Sequence, residues 1–356
     1  ADGGPDLPRP RHLRSASAPA AAMAMAARGG HGGGGAVRSV LGTMEFGRRA
    51  ERAACAAMLR AFLARGHCEL DSAHMYAGGE SERIVGALLA EEPPRQAGGS
   101  VRVATKANPW GGNTLKAAGV RSQLETSLQR LQMKSVDLFY LHAPDHGTPV
   151  EETLRACDEL HKEGKFGELG LSNYAAWEVA EICSICRANS WLLPTVYQVR
   201  ARKGCRPLLE TPWSRRPSAG PVSRWGGLLT GKYRYEDKDS GQQPASRFFG
   251  NDWAATYRDR YWKPHHFQGV ALVQSALREA YGPDPPSLTS AALRWIFHHS
   301  KLQGECGDAV IIGMSNLDQL EENLRCSEEG PLLPAVVEAF QDAWRLVAHE
   351  CPSYFR

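Results

Sequence analysis

The sequence predicts a (β/α)8 barrel, a closed ring of parallel strands with helices outside, and three observations lead there. Short apolar runs alternate with amphipathic helical patterns from Val37 to about Gly330, which implies a parallel sheet covered by helices. No G-x-G-x-x-G run follows a strand; Gly32 to Gly35 precede the first one and read as linker, so an open dinucleotide-binding sheet is the weaker closure. Asp71, Lys106, His142, Ser172-Asn173 and Gln198 each end a separate predicted strand, the place where a barrel gathers its functional groups.

The elements follow in chain order. Residues 1–36 are rich in Ala, Gly, Pro and Arg, and no acid occurs between Asp6 and Glu45. Such a stretch cannot build a core and reads as a disordered tail, or as a targeting peptide of mitochondrial type. Met23 and Met25 just before the ordered pattern are alternative starts that would remove the second reading. Strands are predicted at Cys68–Asp71, Val101–Lys106, Val136–His142, Gly167–Ser172, Pro194–Gln198 and Ala309–Gly313.

Helices fill the intervals. Val120, Leu124, Leu128 and Leu131 recur on one helical face. In the next helix Thr148 is the expected N-cap, Pro149 opens the first turn and Glu151 closes a capping box. Val150, Leu154, Cys157 and Leu160 form its apolar face and Gly164 stops it. A helix over Trp177–Ala188 carries Cys183 and Cys186, whose spacing puts them on one face. With no second pair to complete a zinc site, they read as packing. The barrel is assigned to 37–330, and 331–356 to a C-terminal helix and tail near the active site.

One stretch breaks the pattern. Val199 to Trp225 carries seven basic residues, one acid and four prolines, with no apolar period of 2 or 3.6, and is expected to be irregular. Its charge of +6 exceeds the +3 of the whole 356-residue chain, so the remainder carries −3. A net charge that small argues against nucleic acid or a membrane surface as partner. The nine cysteines are odd in number and scattered, unlike a disulfide framework, and no apolar run approaches the roughly 20 residues a bilayer span needs.

Asp71, Tyr76, Lys106 and His142 at one barrel mouth suit carbonyl reduction. A phenol of pKa near 10 is a poor acid at neutral pH. An adjacent ammonium stabilises the phenolate and lowers that value, while an ionised Asp keeps the ammonium charged and in place. Tyr76 then serves as general acid, and His142 donates to the carbonyl oxygen and orients it. Hydride comes from a cofactor, and no metal is needed.

These residues carry a family resemblance. Asp71-Ser72-Ala73-His74-Met75-Tyr76, Ala104-Thr105-Lys106, Asp137-Leu138-Phe139-Tyr140-Leu141-His142 and Gly170-Leu171-Ser172-Asn173 resemble the aldo-keto reductases. Leu41-Gly42-Thr43-Met44-Glu45, His142 to Pro149 and the terminal His349 to Arg356 are similar to the aflatoxin B1 aldehyde reductase subfamily. The resemblance implies a cytoplasmic, homodimeric, NADPH-dependent reductase of aldehydes such as aflatoxin dialdehyde and succinic semialdehyde. It assigns Tyr76 as proton donor, Lys106 as the residue lowering its pKa, Asp71 as charge partner at the cofactor edge and His142 as substrate-orienting residue. Ser172, Asn173 and Gln198 match the nicotinamide contacts. Gly226, Gly227, Leu228, Leu229, Gly231 and Lys232 match the pyrophosphate loop. Arg247, Ser315, Gln319, Glu322 and Asn323 match the adenosine and 2′-phosphate site. Tyr257, Arg260 and Arg356 match positions that hold acidic substrate groups.

The chain departs from the family after Gln198, and the family pattern resumes at Gly226. The replaced stretch is the basic segment already found from composition, so a disrupted seventh strand is expected. A catalytically impaired relative, either an NADP(H)-sensing protein like the channel β subunits or a defective gene product, is therefore the rival reading.

Overall fold

A computed structural model describes residues 35–91, 100–200, 216–220, 225–239, 246, 248–250, 254–351 and 355, without the side chains of 199–200, 216–220 and 225–226. Eight parallel strands close a barrel in sequence order. They are β1 (Arg38–Gly42), β2 (Glu69–Asp71), β3 (Arg102–Ala107), β4 (Val136–Leu141), β5 (Phe166–Ser172), β6 (Pro194–Arg200), β7 (Arg216–Gly220) and β8 (Ala309–Gly313). The helices are α1 (Arg52–Ala64), α2 (Glu80–Glu91), α3 (Ala117–Leu131), α4 (Val150–Lys162), α5 (Ala176–Ala188), α6 (Ala254–Tyr261), α7 (Pro264–Tyr281), α8 (Leu288–Arg294), α9 (Leu317–Glu328) and α10 (Pro334–Val347). Among the described residues no helix is long and apolar enough to cross a membrane.

Alternate residues of a strand face opposite sides of the sheet, and this period builds the barrel in layers. Leu41, Leu70, Val103, Phe139, Leu169 and Val310 point outward into the main core beneath the helices. Their neighbours in sequence point inward. Val40, Ala309 and Ile311 make one small apolar cluster inside, and Ala104, Tyr140 and Val196 another. At the N-terminal end Arg102 reaches Glu168 at 3.0 Å, with Glu69 and Asp137 each at 3.9 Å, while Arg38 pairs with Glu69. These charges plug the floor, and the same alternation two to four residues later brings Asp71, Lys106, Ser172 and Gln198 to the opposite mouth.

Gly170 fits this layering for a steric reason. A Cβ there would lie 2.4 Å from the Tyr140 ring, so the ring occupies the space that any other residue would claim.

Two expectations are corrected. The basic segment is not irregular throughout: Val199 and Arg200 extend β6, and Arg216–Gly220 form β7. The new strand runs parallel to β6 with Ser218 beside Gln198, and meets β8 through Ser218 opposite Ala309 and Ala219 opposite Val310. Backbone N–H and C=O groups form a ladder without regard to side chain, and the two unpaired edges of β6 and β8 offered partners to whatever chain ran between them. Pro217 removes one donor from this strand, and the β7–β8 seam is correspondingly thin. Residues 201–215 and 221–224 lie outside the described residues.

The second correction concerns α4. Pro149, not Thr148, is its N-cap and no side-chain cap forms. The Thr148 hydroxyl donates instead to Asp145 Oδ2 at 2.8 Å, and Glu152 rather than Glu151 reaches across, accepting from Ala117 N–H at 2.9 Å. A turn acceptor two to three residues away outcompeted the capping box. The expected stop holds, with Gly164 just past the end at φ 75°.

Cys183 and Cys186 are buried in α5. Burial raises both thiols, Cys186 to about 12, which keeps them protonated and suits packing.

A second core joins the 225–230 turn to α6, α7, α8 and α10 through Leu228, Phe248, Trp262, Val273, Leu277 and Val336. Within it α10 lies along α7.

Candidate active site

Four consecutive strand ends bring the central residues together. Asp71 closes β2, Lys106 is the fifth residue of β3, His142 follows β4 and Ser172 closes β5. Tyr76 comes from the short 3-10 turn Tyr76–Gly79 between β2 and α2.

Lys106 is fully buried and Asp71 is 3% exposed. The ammonium donates to Asp71 Oδ1 at 2.7 Å and to the Ser72 carbonyl at 2.6 Å. Gln198 Nε2 donates to the same Asp71 oxygen at 2.8 Å. Burial pulls the Lys106 ammonium below its ordinary range, and the Asp71 charge opposes that pull, with Glu82 adding to it. Lys106 Nζ lies 5.2 Å from the Tyr76 ring centre and 5.4 Å from that of Tyr140. The Tyr76 ring also meets the His142 imidazole edge-on, with centres 5.9 Å apart. The Tyr76 ring therefore has a cation on one side and an imidazole on another.

The loop that carries Tyr76 is braced from behind. His74 N–H donates to the Lys106 carbonyl at 3.0 Å, and Arg130 donates to the His74 carbonyl at 2.8 Å. Arg130 is held at 3.2 Å by Glu82, a fully buried carboxylate that also accepts from Thr105 at 2.6 Å.

Asn173 is a non-glycine residue at φ 62°. Its Nδ2 donates to the His142 carbonyl at 2.7 Å and to Ser172 Oγ at 3.1 Å, so the left-handed turn locks two strand ends together.

Sequence reasoning missed Trp110. Its indole N–H donates to Met75 Sδ at 3.0 Å and its ring lies 5.2 Å from that of His142, so it joins the Tyr76 loop to the end of β4. The loop beneath it is fixed by Asn108, whose N–H donates to Gln123 Oε1 at 2.9 Å and whose Nδ2 donates to the Trp110 carbonyl at 2.7 Å. An aromatic four residues past a site lysine, in a loop leaving the functional end of a strand, was the available signal.

The remaining expected positions fall in two groups. Gly226 to Leu229 lie in the 3-10 turn Trp225–Thr230 after β7, Gly231 follows at φ 70°, and Lys232 is exposed. Ser315 lies between β8 and α9, just before the N-cap Asn316, and Gln319, Glu322 and Asn323 lie on the first two turns of α9. Ser315 N–H and hydroxyl both donate to Gln319 Oε1, at 2.9 and 3.1 Å. Asn323 reaches back to the Gly313 carbonyl at 3.4 Å, and Glu322 accepts from Ser287 at 3.5 Å. Tyr257 and Arg260 are half-buried on α6, beside the 225–230 turn. Arg247 and Arg356 lie outside the described residues.

Residues 40–206 match the Aldo/keto reductase family. Aflatoxin B1 aldehyde reductase member 2 of Homo sapiens is 63% identical over 329 residues, which covers 90% of this chain and 90% of that protein. The chain belongs to the aldo/keto reductase family. Within it, Aflatoxin B1 aldehyde reductase member 4 of Homo sapiens is 60% identical over 324 residues, 89% of this chain and 96% of that one. An aldo-keto reductase of Pseudocercospora fijiensis is 39% identical over 306 residues, 84% of this chain and all of that one. Among solved structures, a glycerol dehydrogenase from Gluconobacter oxydans superposes with a TM-score of 0.65 over 90% of this chain and 94% of its own, at 23% identity, and shares the fold. The aldo/keto reductase identity and the buried Lys106–Asp71 pair beside Tyr76 agree.

Proposed function

We propose that this protein reduces aldehydes to alcohols with NADPH. The observation that carries this reading is the buried Lys106–Asp71 pair beside a tyrosine whose ring also meets His142. NADPH supplies hydride to the carbonyl carbon when bound. Tyr76 gives its hydroxyl proton to the carbonyl oxygen, and Lys106 lowers the cost of leaving phenolate behind. Asp71 holds Lys106 charged, and His142 donates to the carbonyl oxygen and sets its direction.

The residues around the mouth fit a dinucleotide. Gln198 and Asn173 direct their amide N–H groups to Asp71 and His142, and keep their amide oxygens as acceptors, the complement of a carboxamide NH2, with Ser172 beside them. Gly226, Gly227, Leu228, Leu229 and Gly231 take the pyrophosphate: Gly227 sits at φ 110° with no atom of the described residues within 4 Å of where a Cβ would stand, which suits approach of a phosphate to its backbone. Lys232 adds charge. Ser315, Gln319, Glu322 and Asn323, at the positive end of α9, take the adenosine and its 2′-phosphate with Arg247. Tyr257, Arg260 and Arg356 hold acidic substrate groups.

By similarity to the two human aflatoxin B1 aldehyde reductases, aflatoxin dialdehyde is one proposed substrate and succinic semialdehyde, which has a carboxylate for those arginines, is another. The proposed assembly is a homodimer in the cytoplasm, with no nucleic-acid partner. Residues 37–330 are the proposed catalytic barrel, 1–36 a tail, and 331–356 a segment near the site. The buried Lys106–Asp71 pair beside Tyr76 supports an active enzyme over an impaired relative, and the pairing of β7 with β6 and β8 supports a barrel that closes around it.

Purified protein with NADPH and succinic semialdehyde is expected to lose the near-ultraviolet absorbance of the reduced cofactor. Tyr76→Phe is expected to slow that loss about 10²–10⁴-fold, the usual worth of a general acid. Undiminished turnover in Tyr76→Phe, or tight NADPH binding without turnover in the unaltered protein, defeats the proposal.

A further inference from the structure

We propose that His265, His349 and Glu350 form a zinc site that fastens the turn after α10 to the first turn of α7. One imidazole or carboxylate atom from each residue lies within 4.8 Å of the other two. His265 is the second residue of α7, while His349 and Glu350 belong to the 3-10 turn Ala348–Glu350 that follows α10. The cluster stands on the helices outside the barrel strands, and none of its three residues belongs to the tetrad.

Two of its atoms are otherwise hard to account for. His265 Nδ1 and Glu350 Oε2 are shut off from solvent, neither has a hydrogen-bond partner among the described residues, and they face each other at 3.7 Å. Buried polar atoms are normally satisfied, and this separation is too long for a direct hydrogen bond. His349 Nε2 stands 4.0 Å from the other oxygen of Glu350, and the two imidazoles meet edge-on with centres 5.5 Å apart. A cation among these groups would give both buried atoms a ligand bond.

Two histidines and one carboxylate are a recognised zinc set that leaves the fourth position to water. Donors bound at about 2.0–2.1 Å stand closer together than these do, so the site must contract by a side-chain rotation. His349 permits it, its side chain being 62% exposed. Helix dipoles do not oppose a cation here. The positive end of α7 is met by the negative end of α10, and Glu350 adds a full negative charge.

The proposal is tested on the full chain, equilibrated with Zn2+, passed through metal-free buffer containing a weak chelator, and analysed for retained metal. One Zn2+ per chain is expected. His265→Ala and Glu350→Gln are each expected to lower retention at least tenfold, while Cys351→Ser leaves it unchanged. Co2+ in place of Zn2+ is expected to show d–d absorption without a thiolate charge-transfer band. Melting curves without metal confirm that the variants are folded, and Zn2+ should raise the Tm of the unaltered chain but not of His265→Ala. No retained metal means an ion pair only and overturns the proposal. Retention that survives in His265→Ala, or a thiolate band, assigns the metal to cysteines and overturns it equally.

Discussion

Lys106 and Asp71 face each other at 2.7 Å with almost no exposure to solvent. Charges so buried are tolerated because each is satisfied several times over: the ammonium by Asp71 and the Ser72 carbonyl, the carboxylate by Lys106 and Gln198. Removing one partner strands the other. Lys106→Met is expected to cost about 3–5 kcal/mol of stability and to reduce turnover at least about 100-fold, as for loss of a group that tunes the acid. The double variant Lys106→Met with Asp71→Asn should lose less stability than the two single changes added together, because no uncompensated charge remains. Urea unfolding of the four proteins gives the coupling directly. Additive losses would show that the pair is not coupled.

Trp110 contacts both Met75 and His142, so in the proposed function it borders the space beside Tyr76 and His142 that would hold the aldehyde. Trp110→Ala is expected to raise KM about 10-fold or more, with a smaller change in kcat, because it removes apolar contact made in ground and transition states alike. Steady-state kinetics with a bulky aromatic aldehyde is the sensitive measurement. An unchanged KM would place the substrate elsewhere at the mouth.

Gly170 gives its side-chain space to the Tyr140 ring. Gly170→Ala is expected to destabilise the barrel by about 1–3 kcal/mol, the usual cost of overpacking. It should also depress turnover, because Tyr140 lies under Lys106 Nζ. Tyr140→Phe leaves the ring in place and should not relieve the clash, whereas Tyr140→Ala in the Gly170→Ala background should. Thermal melts of these combinations decide the matter.

Asp308 supplies a pH dependence that can be isolated. Its Oδ2 accepts from Gln303 N–H at 2.7 Å, and burial raises its carboxyl from 3.8 to about 6 despite that bond and the nearby Arg38. The folded protein therefore holds this proton longer than the unfolded chain does. Between about pH 4 and pH 6 the folded state binds more protons, so this group's contribution to stability falls as pH rises through that window and stays lost above it. Asp308→Asn keeps an acceptor for Gln303 and cannot ionise. The stability of the unaltered protein relative to Asp308→Asn should thus decline from pH 4 to pH 6 and level off beyond. A constant difference across that range would show that Asp308 does not titrate there.

Much of this site was legible in the residues. Lys106 and Gln198 lie 92 positions apart, yet each stands near the C-terminal end of a strand whose alternation says which face it takes. A parallel barrel then sends every such residue to one mouth. Asp71, His142 and Ser172 were expected from the same strand-end position, whereas Tyr76 was expected from the chemistry of a tyrosine beside Lys106 and from the family-like run Asp71 to Tyr76. Trp110 was not legible, since a loop residue has no period and its direction is set by the bonds Asn108 makes to Gln123 and to the Trp110 carbonyl.

The residues alone were enough to show the alternation of strand and helix and the facing of most strand residues, because these depend on local periodicity that each segment carries within it. Only the tertiary structure decided that Arg216–Gly220 is a strand, because its ladder is drawn from the open edges of β6 and β8 and not from its own side chains. Only the tertiary structure brought His265 to His349 and Glu350, because that meeting depends on how α10 lies along α7. No pattern within either segment encodes the distance between them.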